Sequence, residues 1–361
     1  MTLLPTIWCA ISGHGFGHGA QVVPILNELG RQVPGLNLIL RTSVPASFFK
    51  DRLTIPWSLQ PRQQDVGCIQ RGPLDIDVPA TWEAHRTFHT SWDKRMAAEV
   101  SALATASPAL VMADTPYLAV SAANEAGIPA VVVASFTWSE VLQFFGDSSP
   151  DQRAVVEAIR RSYAGADQAL RIAPGLPLSG IRKVTDIGPV AEPGVGQRNL
   201  LRSSLGIRES ERLVLVGFGG IPLQTLPWDQ MEEMEGFHFL VDGLERSSPR
   251  VHSLASLPFS FKTALASVDA VMTKPGYGTI VEAVALRLPV VYVRRHTFAD
   301  EAPLVQFLQD HGCGYELTRE NFVSGHWRPA LEALFVRAPA IPPPAMTGAA
   351  DASKVLLQYF Q

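Results

Sequence analysis

The chain has 361 residues, 47% of them hydrophobic and 18% charged, with 30 Lys and Arg against 34 Asp and Glu for a formal net charge of -4. That apolar content excludes a disordered chain, and the length favours two cores over one. The charge balance supplies no basic field for a phosphate backbone, which argues against a nucleic-acid partner. Cys9, Cys68 and Cys313 are scattered and odd in number. They read as reduced thiols, not a disulfide framework, and the cytoplasm is the expected location.

In residues 1–10 no charged segment precedes the apolar run, which passes straight into a glycine-rich loop. A first strand is expected there, not a signal peptide. No apolar stretch reaches the roughly 18 residues a spanning helix needs, which leaves only a peripheral membrane contact open. In chain order, a strand over 7–11 precedes a helix over 21–29, with Val22, Ile25, Leu26 and Leu29 at helical spacing. A strand follows at 37–40, and strands at 109–112 and 130–134 flank a small-residue helix over 119–126. A second cycle opens near Arg212, with strands at 213–216, 237–241, 270–272 and 290–293. Short β-rich runs alternating with helices imply parallel sheets covered on both faces. The Pro- and Gly-dense stretch 187–196 marks the crossing from an N-terminal domain, 1–190, to a C-terminal domain, 197–340. After prolines 342–344 a helix over 352–360 is expected, so that 346–361 packs back on the N-terminal domain.

From Ser12 to Gly19 the loop after the first strand reads Ser-Gly-His-Gly-Phe-Gly-His-Gly. Its glycines, Gly17 among them, let a ligand approach the backbone at a helix start. A dinucleotide fingerprint would need different glycine spacing and an acid closing the second strand, where Arg41-Thr-Ser stands instead. His18 and His14 lie where strand ends open on a cleft, and an imidazole there can take a proton from an acceptor hydroxyl. Either can equally cap the helix or bond a loop carbonyl. Asp114, ending another parallel strand, can orient the imidazole or cap the helix that begins near Pro116.

The segment from Val271 to Ala285 is the most informative. A strand ends, a turn follows through Lys274, Gly276, Tyr277 and Gly278, and a helix is expected from Thr279. Amides of Gly278, Thr279 and Ile280 would then point at an anion, with Lys274 adding charge and removing the need for a metal. Glu282, expected in the first helical turn, can accept from ribose hydroxyls or simply favour the helix start. Gly219 and Gly220 form a second turn that can touch a diphosphate or be only a tight turn. Arg294 and Arg295 can neutralise a carboxylate or phosphate, and Asp300 and Glu301 can accept from donor-sugar hydroxyls. Each of these four can also be a solvated loop charge.

These loops resemble the GT-B glycosyltransferases, including UDP-glycosyltransferases and MurG-like enzymes. The resemblance implies His18 as base, the Gly276 to Thr279 turn on the diphosphate and Glu282 on the ribose. A closer likeness is to the glycosyltransferase-like N-terminal region of plant L-arabinokinases and related bacterial proteins. It rests on Gly13-His-Gly-Phe-Gly-His18, Asp65-Val-Gly, Asp75-Ile-Asp77, Lys274-x-Gly-Tyr-Gly-Thr279, Val293-Arg-Arg295 and Phe298-x-x-Glu301. Arabinokinase activity itself is not implied, because phosphotransfer in that family belongs to a separate kinase domain. The long donor signature of the plant enzymes is absent, with Asp300-Glu301 near where its acidic–amide pair would fall.

Asp75-Ile-Asp77 also spells a metal-chelating pair, but it lies among prolines, away from the nucleotide domain's strand ends, and is expected to be a loop feature. His85 and His89 share a helical face without a third ligand, and Trp82, Phe88 and Trp92 suit core packing. Ser179 lacks the context of a hydrolase elbow. The sequence thus predicts an α/β chain of GT-B architecture, two Rossmann-like domains facing across a cleft. Its expected activity is hexosyl or pentosyl transfer from a nucleotide-sugar, UDP-linked, to a hydroxyl of a small-molecule or lipid acceptor. The donor is a co-substrate, and neither cofactor nor metal is called for. A nucleotide-sugar epimerase and a non-catalytic sugar-nucleotide sensor stand as the alternatives.

Overall fold

Strands that are apolar along their whole length need cover on both faces, and parallel sheets flanked by helices supply it. The computed structural model describes residues 4–146, 149–219, 226–245 and 247–361. In the N-terminal half seven parallel strands lie in the order Trp57–Pro61, Asn37–Thr42, Thr6–Ile11, Leu110–Asp114, Ala130–Ala134, Gln168–Ile172 and Val184–Ile187. In the C-terminal half six lie in the order Val251–Ser253, Phe237–Val241, Arg212–Val216, Ala270–Thr273, Val290–Tyr292 and Gly314–Glu316. The strand order reverses between Thr6–Ile11 and Leu110–Asp114, and again between Arg212–Val216 and Ala270–Thr273. Crevices at such reversals, beyond the carboxyl ends of the strands, are where open α/β sheets bind ligands.

The sequence reading anticipates the central strands, which are almost wholly buried. It does not anticipate Trp57–Pro61, Val184–Ile187 or Gly314–Glu316, half-exposed edge strands whose mixed polar residues carry little apolar signal. Nor does it anticipate Gln168–Ile172 and Val251–Ser253, which are largely buried but have their short apolar runs broken by Gln168 and Arg171 and by His252 and Ser253. Among the described residues no helix is long and apolar enough to cross a membrane.

Among the contacts that tie the halves together, three stand out. The helix Gly348–Leu356 lies along the helix Phe16–Gln32, with Ala352 and Leu356 fully buried. Its Gly348 N–H donates to Pro189 O at 3.0 Å, and Asp351 Oδ2 accepts from Gly188 N at 3.0 Å. A Cβ at Gly348 would stand 2.2 Å from Gly188 O, so a glycine is required for this close approach. A ribbon formed by Gln70–Gly72 and Asp75–Ile76 reaches the other half, where Leu74 enters a core with Phe218 and Phe322. Beside it Asp75 Oδ1 accepts from Arg319 Nη1 at 2.6 Å, while Asp77 caps the helix Val78–Thr90 by accepting from Ala80 N at 3.0 Å. The two carboxylates of that Asp-x-Asp sequence are therefore engaged separately, as loop and cap residues.

The third contact is the Tyr277 hydroxyl, which donates to Ala173 O at 2.8 Å and accepts from Val190 N at 3.0 Å. Tyr277→Phe strands that carbonyl and that amide away from water. It should lower stability by about 1–3 kcal/mol, read as a lower urea midpoint; an unchanged midpoint would mean that both groups find other partners.

Candidate active site

The helix Phe16–Gln32 starts inside the glycine loop, with Gly15 as its cap in extended backbone, and this brings His18 to the first strand reversal. There His18 Nδ1 lies 3.0 Å from Asp114 Oδ2, with the imidazole 8% and the aspartate 0% exposed. Nδ1–H donates to the carboxylate, which leaves Nε2 as the basic nitrogen. Burial alone would lower the His18 pKa, but the charge of Asp114 and the bond to it, with Asp65 and Asp300 adding, carry it above the ordinary value. Asp114 does not cap a helix, since the next helix starts at Tyr117 behind Pro116. Its neighbour Thr115 has φ 66°, a strained value for a β-branched residue. Tyr163 donates to the Thr115 carbonyl at 2.5 Å, and the Thr115 hydroxyl donates to Asp114 O at 2.8 Å, which holds the turn.

His14 is placed differently. Its Nδ1 accepts from Cys68 N at 3.1 Å and its Nε2 meets the Gln70 side-chain amide at 3.2 Å. With Nδ1 accepting, the ring is neutral and Nε2 carries the proton, so Gln70 presents its carbonyl oxygen there. The ring stacks on Phe298 at 6.2 Å between centroids, and burial, then the positive field of His18, Arg295 and Lys274, lowers its pKa to about 3. Both nitrogens are thus occupied in holding the 68–70 segment, and His14 is not arranged as a base.

At the second reversal Lys274 follows the strand Ala270–Thr273. Burial, with Arg295 adding, lowers its pKa to about 8, against Asp300 and Glu301. Its ammonium lies against Gly219, whose φ of 75° favours glycine. Gly220 lies outside the described residues. The following helix begins at Tyr277, two residues earlier than expected, because Gly276 takes extended backbone and caps it. Ile280 N–H is already used by Gly276 O at 3.0 Å. The amides left without an intrahelical acceptor are therefore those of Tyr277, Gly278 and Thr279. Among the described residues, a Cβ on Gly15, Gly17 or Gly278 would meet nothing within 4 Å. Both glycine turns thus border open space.

Glu282 stands in the second helical turn, not the first, and its Oε1 is 3.2 Å from Lys262 Nζ. Burial raises the Glu282 pKa, with Lys262 and Arg52 opposing. Glu301 was expected to face a sugar, but it is fully buried and accepts from Arg295 Nε at 2.6 Å, Arg295 N at 3.1 Å and His296 N at 3.3 Å. Arg295 is correspondingly spent, and its guanidinium also covers the Phe298 ring at 4.5 Å. Arg294 Nε stands 3.9 Å from Glu301 Oε2. Asp300 remains the unengaged acid: it is buried, its Oδ1 meets no partner among the described residues, and burial lifts its pKa to about 7. Tyr277, expected at the nucleotide, instead directs its hydroxyl to the junction between the halves. Sequence reasoning gave no role to Asp65, Ser12, Trp138 or Lys262. Ser12 and Asp65 are loop residues, Asp65 appearing only within a resemblance motif, while Trp138 and Lys262 sit at the starts of the short helices Trp138–Phe144 and Phe261–Leu265. None belongs to a pattern with a spacing rule that assigns it a role.

No known family's sequence profile matches the chain. An L-arabinokinase from Arabidopsis thaliana is 28% identical over 330 residues, 89% of this chain and 31% of the relative, so the chain spans about a third of that protein. Among solved structures, the calicheamicin glycosyltransferase superposes with TM-score 0.63 at 17% identity, covering 99% of this chain and 95% of the other. A glycosyltransferase of kitacinnamycin gives TM-score 0.65 at 13% identity, covering 99% and 100%. UDP-glucose:anthocyanidin 3-O-glucosyltransferase, solved with UDP, gives 0.62 at 15% identity, covering 99% and 95%. Two facing parallel sheets, matched over nearly their whole length by these enzymes, give the chain the GT-B fold of the UDP-glycosyltransferases.

Proposed function

We propose that the chain is a metal-independent glycosyltransferase that moves a sugar from a nucleotide-sugar, UDP-linked, to a hydroxyl of a small-molecule or lipid acceptor. The observation that carries this reading is the buried His18–Asp114 bond at 3.0 Å, with Nε2 left basic on a rim that also holds Lys274 and an open helix start. The presence of UDP in the anthocyanidin enzyme supports the choice of donor.

In this mechanism Nε2 of His18 removes the hydroxyl proton as the acceptor oxygen attacks the anomeric carbon, while Asp114 stabilises the imidazolium that forms. The bond from the anomeric carbon to the diphosphate breaks with its electron pair. The leaving group settles against the amides of Tyr277, Gly278 and Thr279 and the ammonium of Lys274. That field places positive charge at the leaving oxygen, so the reading requires no metal. Glu282 accepts from the ribose once it turns from Lys262, and Asp300 is the acid available to the donor sugar.

His18→Ala should reduce turnover by about 10²–10⁴, and near-normal turnover with a working acceptor would remove His18 as base. Incubation with a nucleotide-sugar alone should leave it intact; an epimerised donor would indicate acid–base chemistry without an acceptor. Glu282→Ala should weaken UDP binding by about tenfold or more, with unchanged calorimetric affinity counting against the ribose role. The pH dependence has a definite sign. Activity requires unprotonated His18 and protonated Lys274, so kcat/KM should rise through a pKa above the ordinary histidine value and fall again through about 8. A profile flat from pH 6 to 9 would contradict both assignments.

A further inference from the structure

Asp65 is a buried carboxylate to which the mechanism gives no part and which no cation neutralises by direct contact among the described residues. It comes from the loop after the edge strand Trp57–Pro61 and is 3% exposed. Oδ1 accepts from Ser12 Oγ at 3.0 Å, and Oδ2 accepts from Trp138 Nε1 at 2.7 Å, with Thr115 Oγ1, whose proton goes to Asp114 O, in polar contact at 3.5 Å. Ser12 follows the strand Thr6–Ile11, Thr115 follows Leu110–Asp114, and Trp138 comes shortly after Ala130–Ala134. These are three neighbours in the sheet. One carboxylate therefore ties three adjacent strand ends, all bordering the imidazole. Ser12 N also donates to Asp114 O at 3.3 Å, and the Trp138 ring lies 6.2 Å from that of His18.

We infer that Asp65 is a positioning residue for His18, fixing the turns around the imidazole and turning a second negative charge toward it when it becomes positive. The significance for catalysis rests on His18 being the base; the placement and the charge do not. Other groups also act on this pair. Asp114 is bonded to the imidazole and Asp300 faces it from the C-terminal half, while His14, held by Cys68 and Gln70, opposes its charge. Lys274 and Arg295 act on His14 and Asp300, and Tyr117 and Tyr163 lie within the field of Asp65. Burial raises the Asp65 pKa to about 6, against the bonds from Trp138 and Ser12. Its charge is thus present at neutral pH and fades below about 6.

Asp65→Asn separates tether from charge. The amide oxygen can keep the indole bond, and the NH2 can turn to Ser12 Oγ, which accepts. The measurement is an NMR titration of the 361-residue chain labelled in its histidine rings, following the His18 midpoint without reference to turnover. In Asp65→Asn the midpoint should fall by roughly 0.5–1 unit, whereas Ser12→Ala, which keeps the carboxylate and removes only the weaker of its two supporting bonds, should lower it by clearly less. If Asp65→Asn fails to fold, Trp138→Phe serves. It removes a bond that favours the Asp65 carboxylate, so Asp65 protonates at higher pH and the His18 midpoint again falls. An unchanged midpoint in a folded Asp65→Asn protein, or an equal fall in Ser12→Ala, overturns the inference. Should no acceptor yield transfer, the transferase reading fails while the titration result stands; should transfer occur, the acid limb of kcat/KM moves with the midpoint.

Discussion

A carboxylate sealed from water is stable only beside donors that replace its hydration, and Asp114 depends on His18 for that. This one bond constrains much of the N-terminal half. It requires the strands Thr6–Ile11 and Leu110–Asp114 to be neighbours, although 96 residues separate the bonded pair. It requires a helix that starts within the glycine loop, so that the imidazole projects from the first turn. It also requires Thr115 to turn sharply into a left-handed conformation directly after the carboxylate. Three hydroxyl contacts around that turn, from Tyr163 and from Thr115 itself, offset the strain.

The two halves are joined by contacts of unequal weight. The exposed Asp75–Arg319 pair contributes on the order of 0.2–1 kcal/mol. Burying Leu74 beside it in the opposite core is worth roughly 1.5–3 kcal/mol. The ribbon is therefore held by its apolar tip, with the ion pair setting orientation more than strength. The buried hydrogen bonds of Tyr277 and the helix Gly348–Leu356 act on the other side, where the chain crosses between the sheets. Phe298 adds a further contact, lying against His14 and Phe136 across the gap.

Charge in the C-terminal loop is sorted by geometry, not by residue type. Arg295 and Glu301 consume each other, since a buried guanidinium and a buried carboxylate are each costly alone. That pairing leaves Lys274 and Asp300, one of each sign, as the groups whose ionisation is shifted toward neutrality. Buried groups of shifted ionisation beside a glycine turn at a strand end are where chemistry is expected.

The sequence by itself determined the α/β class, most of the central strands and the glycine turns, and it offered the pairing of an imidazole with an acid at a strand end as one of two roles open to Asp114. These follow from local patterns: apolar runs of strand length, glycine after them, and polar residues at the carboxyl edge. It misplaced the start of the helix at Tyr277, because a glycine in extended backbone and a glycine inside a helix look alike in a string of letters. Only tertiary structure decided which charges stay free. Whether Glu301 meets Arg295, whether Tyr277 faces a ligand or the junction, and whether Asp65 gathers three strand ends all depend on partners distant in sequence. Burial and charge pairing are properties of the folded whole, and no spacing rule along the chain encodes them.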